Sequence, residues 1–303
     1  MDVAEVRERW ADKWFLWNRE PDPLRLRDLA TRLDIPGLKV PRMWLPTGHI
    51  ILPPVGGGAR AFDGSTTWLK VESAPATAAP LTMGAWASST NTTGAQCCMA
   101  LNRTDTTTVQ FALFFGGNVA GDPIRFRSNN GGGSNIADTT TGYSSGVWHH
   151  VCGVEASSTS RAAYIDGGSK GTNTTSTTPA AITRLSIGVL SGSSDSALFT
   201  GNIAEAFIYT AALADAEIAV MAATKCSPLT IHPGSLAFYA PLVGNYSPEI
   251  DMRAGAGLTV TAATKANHPR MLYPPTQRQR WVVAGAAPPA ATVRMLASLG
   301  VGT

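Results

Sequence analysis

The sequence predicts an all-β sandwich that carries a helical N-terminal arm and an extended C-terminal tail. Three observations point there. Between about residues 60 and 210, short runs alternate apolar and polar side chains: Val109, Phe111, Leu113 and Phe115 share one face while Gln110 and Ala112 take the other, and Leu185, Ile187 and Val189 repeat the pattern. Clusters of Gly, Ser, Asn and Thr, such as 129–134, 172–178 and 191–196, separate these runs as turns and loops. Charged residues make up only 15% of the 303, below the usual quarter, which suits many short strands joined by tight turns.

Taken in order, residues 1–59 form the arm and a Pro-rich linker. Val3, Val6, Trp10, Trp14 and Trp17 recur at three- and four-residue spacing, with Asp2 placed to cap the helix and Pro21 to stop it. A shorter helix is expected over 24–33, before extended chain containing Pro41, Pro46, Pro53 and Pro54. Three indoles bury roughly 150–250 Å² each. Left uncovered, they would exceed the few hundred Å² of the largest apolar patch on a typical monomer. The stripe therefore packs either on its own β-domain or on another subunit, and Trp10, Trp14 and Trp17 are candidate docking residues.

At the centre of the β-rich region, Gly146-Val147-Trp148-His149-His150-Val151 and Tyr164-Ile165-Asp166-Gly167 read as an antiparallel pair. Val147, His149 and Val151 fall on one face; Trp148, His150, Cys152 and Val154 fall on the other. The polar stretch 156–160 joins the strands, and Asp166-Gly167-Gly168 turns the chain again, because Asp and Gly tolerate positive φ. A short helix over 214–223, led in by Asp215, is expected to close this region.

This pair resembles the central hairpin of laminin-G-like, concanavalin A-like jelly rolls. Three further segments resemble the family in the same order: Phe62-Asp63-Gly64 with Trp68-Leu69-Lys70-Val71, Leu81-Thr82-Met83-Gly84-Ala85-Trp86, and Gly201-Asn202-Ile203-Ala204-Glu205-Ala206-Phe207-Ile208-Tyr209 up to Leu213. Ala204 departs from the family, which usually has Asp there. The resemblance places a laminin-G-like jelly roll at 60–224. The stretch 236–260 resembles the segment that usually opens such domains, yet here it follows. Residues 225–274 are accordingly expected to supply C-terminal strands that complete the sandwich in permuted order, since a sheet lacking them would expose an unpaired edge; a separate hairpin unit is the alternative.

Residues 275–303 are expected to be an extended basic tail with a short helix near 291–299. The charge is uneven: 225–303 hold seven basic and two acidic residues. Such a tail suits docking on an acidic protein surface through Arg278, Arg280 and Trp281, and a net charge of +3 gives no independent argument for nucleic acid. Four cysteines, Cys97, Cys98, Cys152 and Cys226, show no metal-ligand spacing; they are read as reduced thiols, with a Cys152–Cys226 bridge left open. Residues 1–20 lack a secretion signal, and no apolar run reaches the ~18 residues of a membrane span.

The catalytic signals are weak. Glu249-Ile250-Asp251 resembles the start of the E-[ILV]-D-x-x-E strand of family 16 glycoside hydrolases, but Arg253 and Ala254 follow Met252, so the second glutamate is missing. His149 and His150 point to opposite faces and cannot share a metal. No cofactor is expected. Jelly rolls of this class often bind Ca²⁺ through rim oxygens, and Asp63, Asp122, Asp138 and Asp195 are the loop acids available, each equally suited to forming a turn. Trp86, Tyr143 and Asp195 are the candidate glycan-binding residues; Trp68 is a further aromatic, and core packing is the competing role for each ring. The resulting expectation is a non-enzymatic structural protein of a virion, made in the host cytoplasm, similar to phage decoration or adhesion proteins. Its partners would be other virion proteins, further copies of itself and a cell-surface glycan, with no nucleic acid and no membrane span. A free carbohydrate-binding lectin is the alternative, and a glycoside hydrolase the third reading.

Overall fold

The computed structural model describes residues 58–244, 246–268 and Met271. The sequence-derived arm, with Trp10, Trp14 and Trp17, and the tail, with Arg278, Arg280 and Trp281, lie outside the described residues. Strands run in the order β1 Gly58–Asp63, β2 Trp68–Val71, β3 Leu81–Ser89, β4 Ala95–Asn102, β5 Val109–Gly116, β6 Pro123–Asn130, β7 Ser134–Gly142, β8 His149–Ser157, β9 Ser160–Ile165, β10 Gly168–Asn173, β11 Arg184–Ile187, β12 Leu190–Ser191, β13 Asp195–Ser196 and β14 Thr200–Tyr209. Helix α1, Asp215–Thr224, follows, and then come β15 Leu236–Ala240, β16 Glu249–Ile250, β17 Gly257–Thr261 and β18 Thr264–Asn267.

Two antiparallel sheets of eight strands each are formed. The first runs β10-β9-β8-β3-β14-β1-β18, with β15 also on β14; the second runs β16-β17-β2-β11-β4-β5-β6-β7. β1 and β15 share one side of β14 end to end: Arg60 to Asp63 face Ile203 to Thr200, while Leu236 to Ala240 pair further along, with Tyr209 to Ala206. The chain after α1 therefore returns to both sheets, since β18 pairs with β1 and β17 with β2. Strand β1 begins at Gly58, so Gly58 and Ala59 belong to the sandwich rather than to a linker.

The core is the alternating set the sequence displays. Val109, Phe111, Leu113 and Phe115 of β5 meet Met83, Ala85, Val151, Ile203 and Ile208 from the other sheet in one buried cluster. Burial at about 25 cal/mol per Å² of apolar surface is what drives the two faces together. One polar group sits among them: Glu155, fully buried, accepts from Ser128 of the opposite sheet at 2.6 Å and from Arg161 at 3.1 Å through both oxygens. Arg161 fills its remaining donors with Asn173 and the carbonyls of Ser158 and Thr175. No local pattern announces this pair, because its partners come from both sheets and a distant loop.

A second apolar cluster covers the first sheet's outer face. There Cys152, Val154, Tyr164, Phe207 and Tyr209 pack under Ile218 and Met221 of α1 and under Leu236 and Tyr239. Two expectations are refined here. The β8–β9 loop is shorter than 156–160, because β8 extends through Ser157 and β9 starts at Ser160. Ala214, not Asp215, occupies the helix cap; its N–H donates to Glu217 at 2.8 Å, while Asp215 receives Tyr164 Oη and Lys170 Nζ.

Candidate functional site

The His149–Asp166 pair looks at first like catalytic machinery. Asp166 Oδ2 lies 2.7 Å from His149 Nδ1, and Asp166 Oδ1 accepts the His150 amide at 2.9 Å. His149 Nε2 accepts the Ser144 amide at 3.0 Å, so Nδ1 carries the proton and no lone pair is left for a substrate. Burial works against ionisation of Asp166, but the bonds from His149 and the His150 amide hold its carboxyl below the usual carboxylate range. Asp166 (φ 50°) and Gly167 (φ 75°) form the left-handed two-residue turn that the sequence suggests. The arrangement clamps the end of β8 to the β9–β10 turn, and it is structural.

Glu249 is likewise engaged by the fold. It is 2% exposed, accepts Arg60 Nε and the Gly244 amide at 2.8 Å each, and sits on an edge strand. Arg60 also donates to the carbonyls of Ala263 and Tyr246. Burial pushes the Glu249 carboxyl up, against the pull of Arg60. Asp251 accepts the amides of Tyr239 and Arg253, and so organises the β16–β17 turn. Both carboxylates that resemble a glycosidase strand are thus ligands for this protein's own donors.

The three candidate glycan residues occupy three different layers. Trp86 lies on the outer face of the first sheet, 6% exposed, with its ring 5.5 Å from that of His150 and under Lys225 Nζ. Tyr143 is in the core between the sheets, edge-on to Phe115, with its hydroxyl donated to the Asn91 carbonyl. Asp195 ties the β12–β13 hairpin to β2, receiving Lys70 Nζ at 2.7 Å and Ser191 Oγ at 2.7 Å. The fold does not bring them together. Among the loop acids, Asp63 accepts three backbone amides of its own turn, and Asp138 pairs with Arg125. Among the described residues no three His, Cys, Asp or Glu side chains are placed to share a metal ion.

The outer face of the second sheet is chemically different. Row by row, the register sets Arg184, Asn102, Gln110 and Asn129 side by side, then Lys70, Ser186, Ala100, Ala112 and Arg127, then Cys97, Phe114 and Arg125. The β12–β13 hairpin folds over part of it, with Leu190 and Ala197 against Cys97, Ala100, Ala112 and Phe114. Partly exposed Trp68 adds an aromatic ring along β2, with Lys70 Nζ 4.8 Å from its centre. Phe114, Gln110 and Arg127 were not singled out as site residues from the sequence. The available signal was Arg125-Phe126-Arg127, where period-two alternation sends both guanidinium groups to the face opposite Phe126.

Two packed antiparallel sheets joined in this order form a β-sandwich of the jelly-roll kind. Residues 63–219, just over half of the chain, match the family model described as the concanavalin A-like lectin/glucanases superfamily (Laminin_G_3), and the chain belongs to this family. Among solved structures, a candidate carbohydrate binding protein from Bacteroides ovatus superposes with TM-score 0.51 at 16% identity, over 71% of this chain and 61% of that one. The match thus spans less than two thirds of the Bacteroides protein. A heptameric SAP-like pentraxin from Limulus polyphemus (TM-score 0.49, 13% identity, 68% and 94% covered) and domains LG4-5 of the mouse laminin α1 chain (0.40, 16%, 50% and 41%) superpose at lower similarity. No curated protein matches the sequence significantly. Among the described residues, no helix is long and apolar enough to cross a membrane.

Proposed function

We propose that this protein is a non-catalytic, carbohydrate-binding jelly roll whose ligand lies on the outer face of the second sheet. The observation that carries this reading is the contrast between two sets of polar groups. His149, Asp166, Glu249 and Asp251 are engaged inside the fold, whereas Gln110 Oε1 and Arg127 Nε on that outer face are buried with no hydrogen-bond partner among the described residues. Profiling the folded full-length chain against plant, bacterial and animal glycans is the test. Binding to at least one glycan class without cleavage is expected. Release of reducing ends that disappears in Glu249→Gln would overturn the non-catalytic reading, and no binding to any glycan would overturn the reading as a whole.

A second, compatible reading concerns context. The Trp10, Trp14 and Trp17 stripe and the basic Arg278-Gln279-Arg280-Trp281 stretch favour docking on a larger assembly. We infer a virion component, displaying its jelly roll for decoration or adhesion, with other virion proteins and further copies of itself as partners. The molar mass of the full chain in solution, beside that of a chain starting at Pro54, checks this. Association that is lost on shortening supports docking through the arm. Two monodisperse monomers would refute it.

A further inference from the structure

We propose that Arg127 and Gln110 form a subsite for a sugar that bears a carboxylate. The inference rests on the carbohydrate-binding reading above and names its ligand class. Strand β6 sends Arg125 and Arg127 outward. Arg125 has its acid: Nε lies 2.8 Å from Asp138 Oδ1 across the β6–β7 pair. Arg127 stands opposite Ala112 on one side and Ile136 on the other, so no carboxylate faces it directly, and the diagonal Asp138 is taken by Arg125. Its guanidinium carbon lies 4.4 Å from the centre of the Phe114 ring, and its Nε is buried with no hydrogen-bond partner. Among the described residues, no ion pair or hydrogen bond engages this side chain.

Gln110 supplies an independent observation. It is 1% exposed, sits on the same face of the neighbouring strand and is diagonal to Arg127 in register, and its Oε1 is buried and unpaired. Native folds leave few such groups unsatisfied. A guanidinium placed over an aromatic ring presents a planar set of donors suited to a carboxylate. The neighbouring Gln110 amide oxygen is buried without a donor, and a turn of the side chain's own bonds would bring it outward to accept one, which a bare anion such as sulfate lacks and a sugar hydroxyl provides. One ligand satisfies both: a saccharide whose carboxylate accepts from Arg127 and whose hydroxyl donates to Gln110. Sialic acids and uronic acids share that chemistry.

The test is calorimetric titration of the full-length protein with 3′-sialyllactose, with trigalacturonate and with lactose as the neutral reference. At least one acidic ligand is expected to bind tenfold or more tightly than lactose, and which of the two does so identifies the source of the carboxylate. Arg127→Met should remove that preference, Arg127→Lys should retain part of it, and Lys170→Met, on the first sheet, should leave it unchanged. Because Arg127 makes no hydrogen bond or ion pair among the described residues and Met keeps an apolar side chain against Phe114, Arg127→Met should melt close to the wild-type temperature; melting several degrees lower would show a structural role and overturn the proposal. Neutral and acidic sugars binding equally, with no effect of Arg127→Met, would overturn the ligand class while leaving carbohydrate binding intact. No binding of any glycan would overturn both. Competition by inorganic sulfate as effective as by the acidic sugar would reduce the site to a general anion contact, and so would also refute it.

Discussion

His150 shows how one side chain can record its whole environment. It is 1% exposed, stacked 5.9 Å from Phe207 and edge-on to Trp86, and neither ring nitrogen makes a hydrogen bond. Burial pushes its pKa down to about 4, against a smaller upward pull from Asp166. A depressed folded-state pKa means that the stabilisation is complete above the ordinary histidine value of 6.5 and is lost as pH falls towards 4. At about 1.4 kcal/mol per unit, the loss is on the order of 3 kcal/mol. Denaturation midpoints at pH 7, 5.5 and 4 should therefore fall more steeply for the wild type than for His150→Phe; parallel curves would refute the assignment. The sequence places His149 and His150 on opposite faces and leads one to expect each to be satisfied by hydrogen bonds, which holds for His149 and not for His150. It does not reveal that one would be a hydrogen-bonded clamp and the other an unpaired ring among aromatics, because that depends on Asp166, Trp86 and Phe207, which come from other strands.

At the scale of elements, strand pairing leaves little slack where the edges of the two sheets meet. A Cβ on Gly171 of β10 would lie 1.6 Å from the Asp138 carbonyl oxygen of β7, which belongs to the other sheet. Gly171→Ala must therefore push β10 and β7 apart, at a cost of at least about 1–3 kcal/mol by analogy with overpacked cores. The melting temperature should drop by several degrees, with amide exchange rising first in β7 and β10; an unchanged midpoint would contradict this close approach. The elements themselves were largely legible. The β5 alternation, the β8–β9 hairpin, the Asp166-Gly167 turn and the helix near 215–224 follow from local period and turn chemistry. Contacts such as Gly171 with Asp138 were not, because a glycine in a strand marks a close approach without saying to what.

For the molecule as a whole, the chain's return after α1 matters most. Strands β15, β17 and β18 cover exposed sides of β14, β2 and β1, and Glu249 reaches Arg60 across 189 residues of sequence. Ending the chain at Thr224 would leave those edges unpaired and strip Arg60 of Glu249 and of the carbonyls of Ala263 and Tyr246 that it bonds. Such a protein should be recovered as aggregate or as an expanded, dye-binding state. A soluble, cooperatively melting product would show that 225–274 fold as a separate unit.

By itself, the sequence determined the class of fold, the family resemblance, the inward and outward faces of the main strands, and the weakness of the glycosidase-like motif. These are readable because strand period, turn chemistry and motif completeness are local. Tertiary structure alone decided which polar groups are engaged and which are left over. Trp86, Tyr143 and Asp195 look like ligand residues in one dimension, yet packing places them in three layers; Arg127 and Gln110 look ordinary until the fold leaves Arg127 Nε and Gln110 Oε1 buried without a partner among the described residues. The physical reason is that satisfaction of a buried charge or amide is a property of its neighbours, and in a sheet those neighbours are set by pairing between strands distant in sequence.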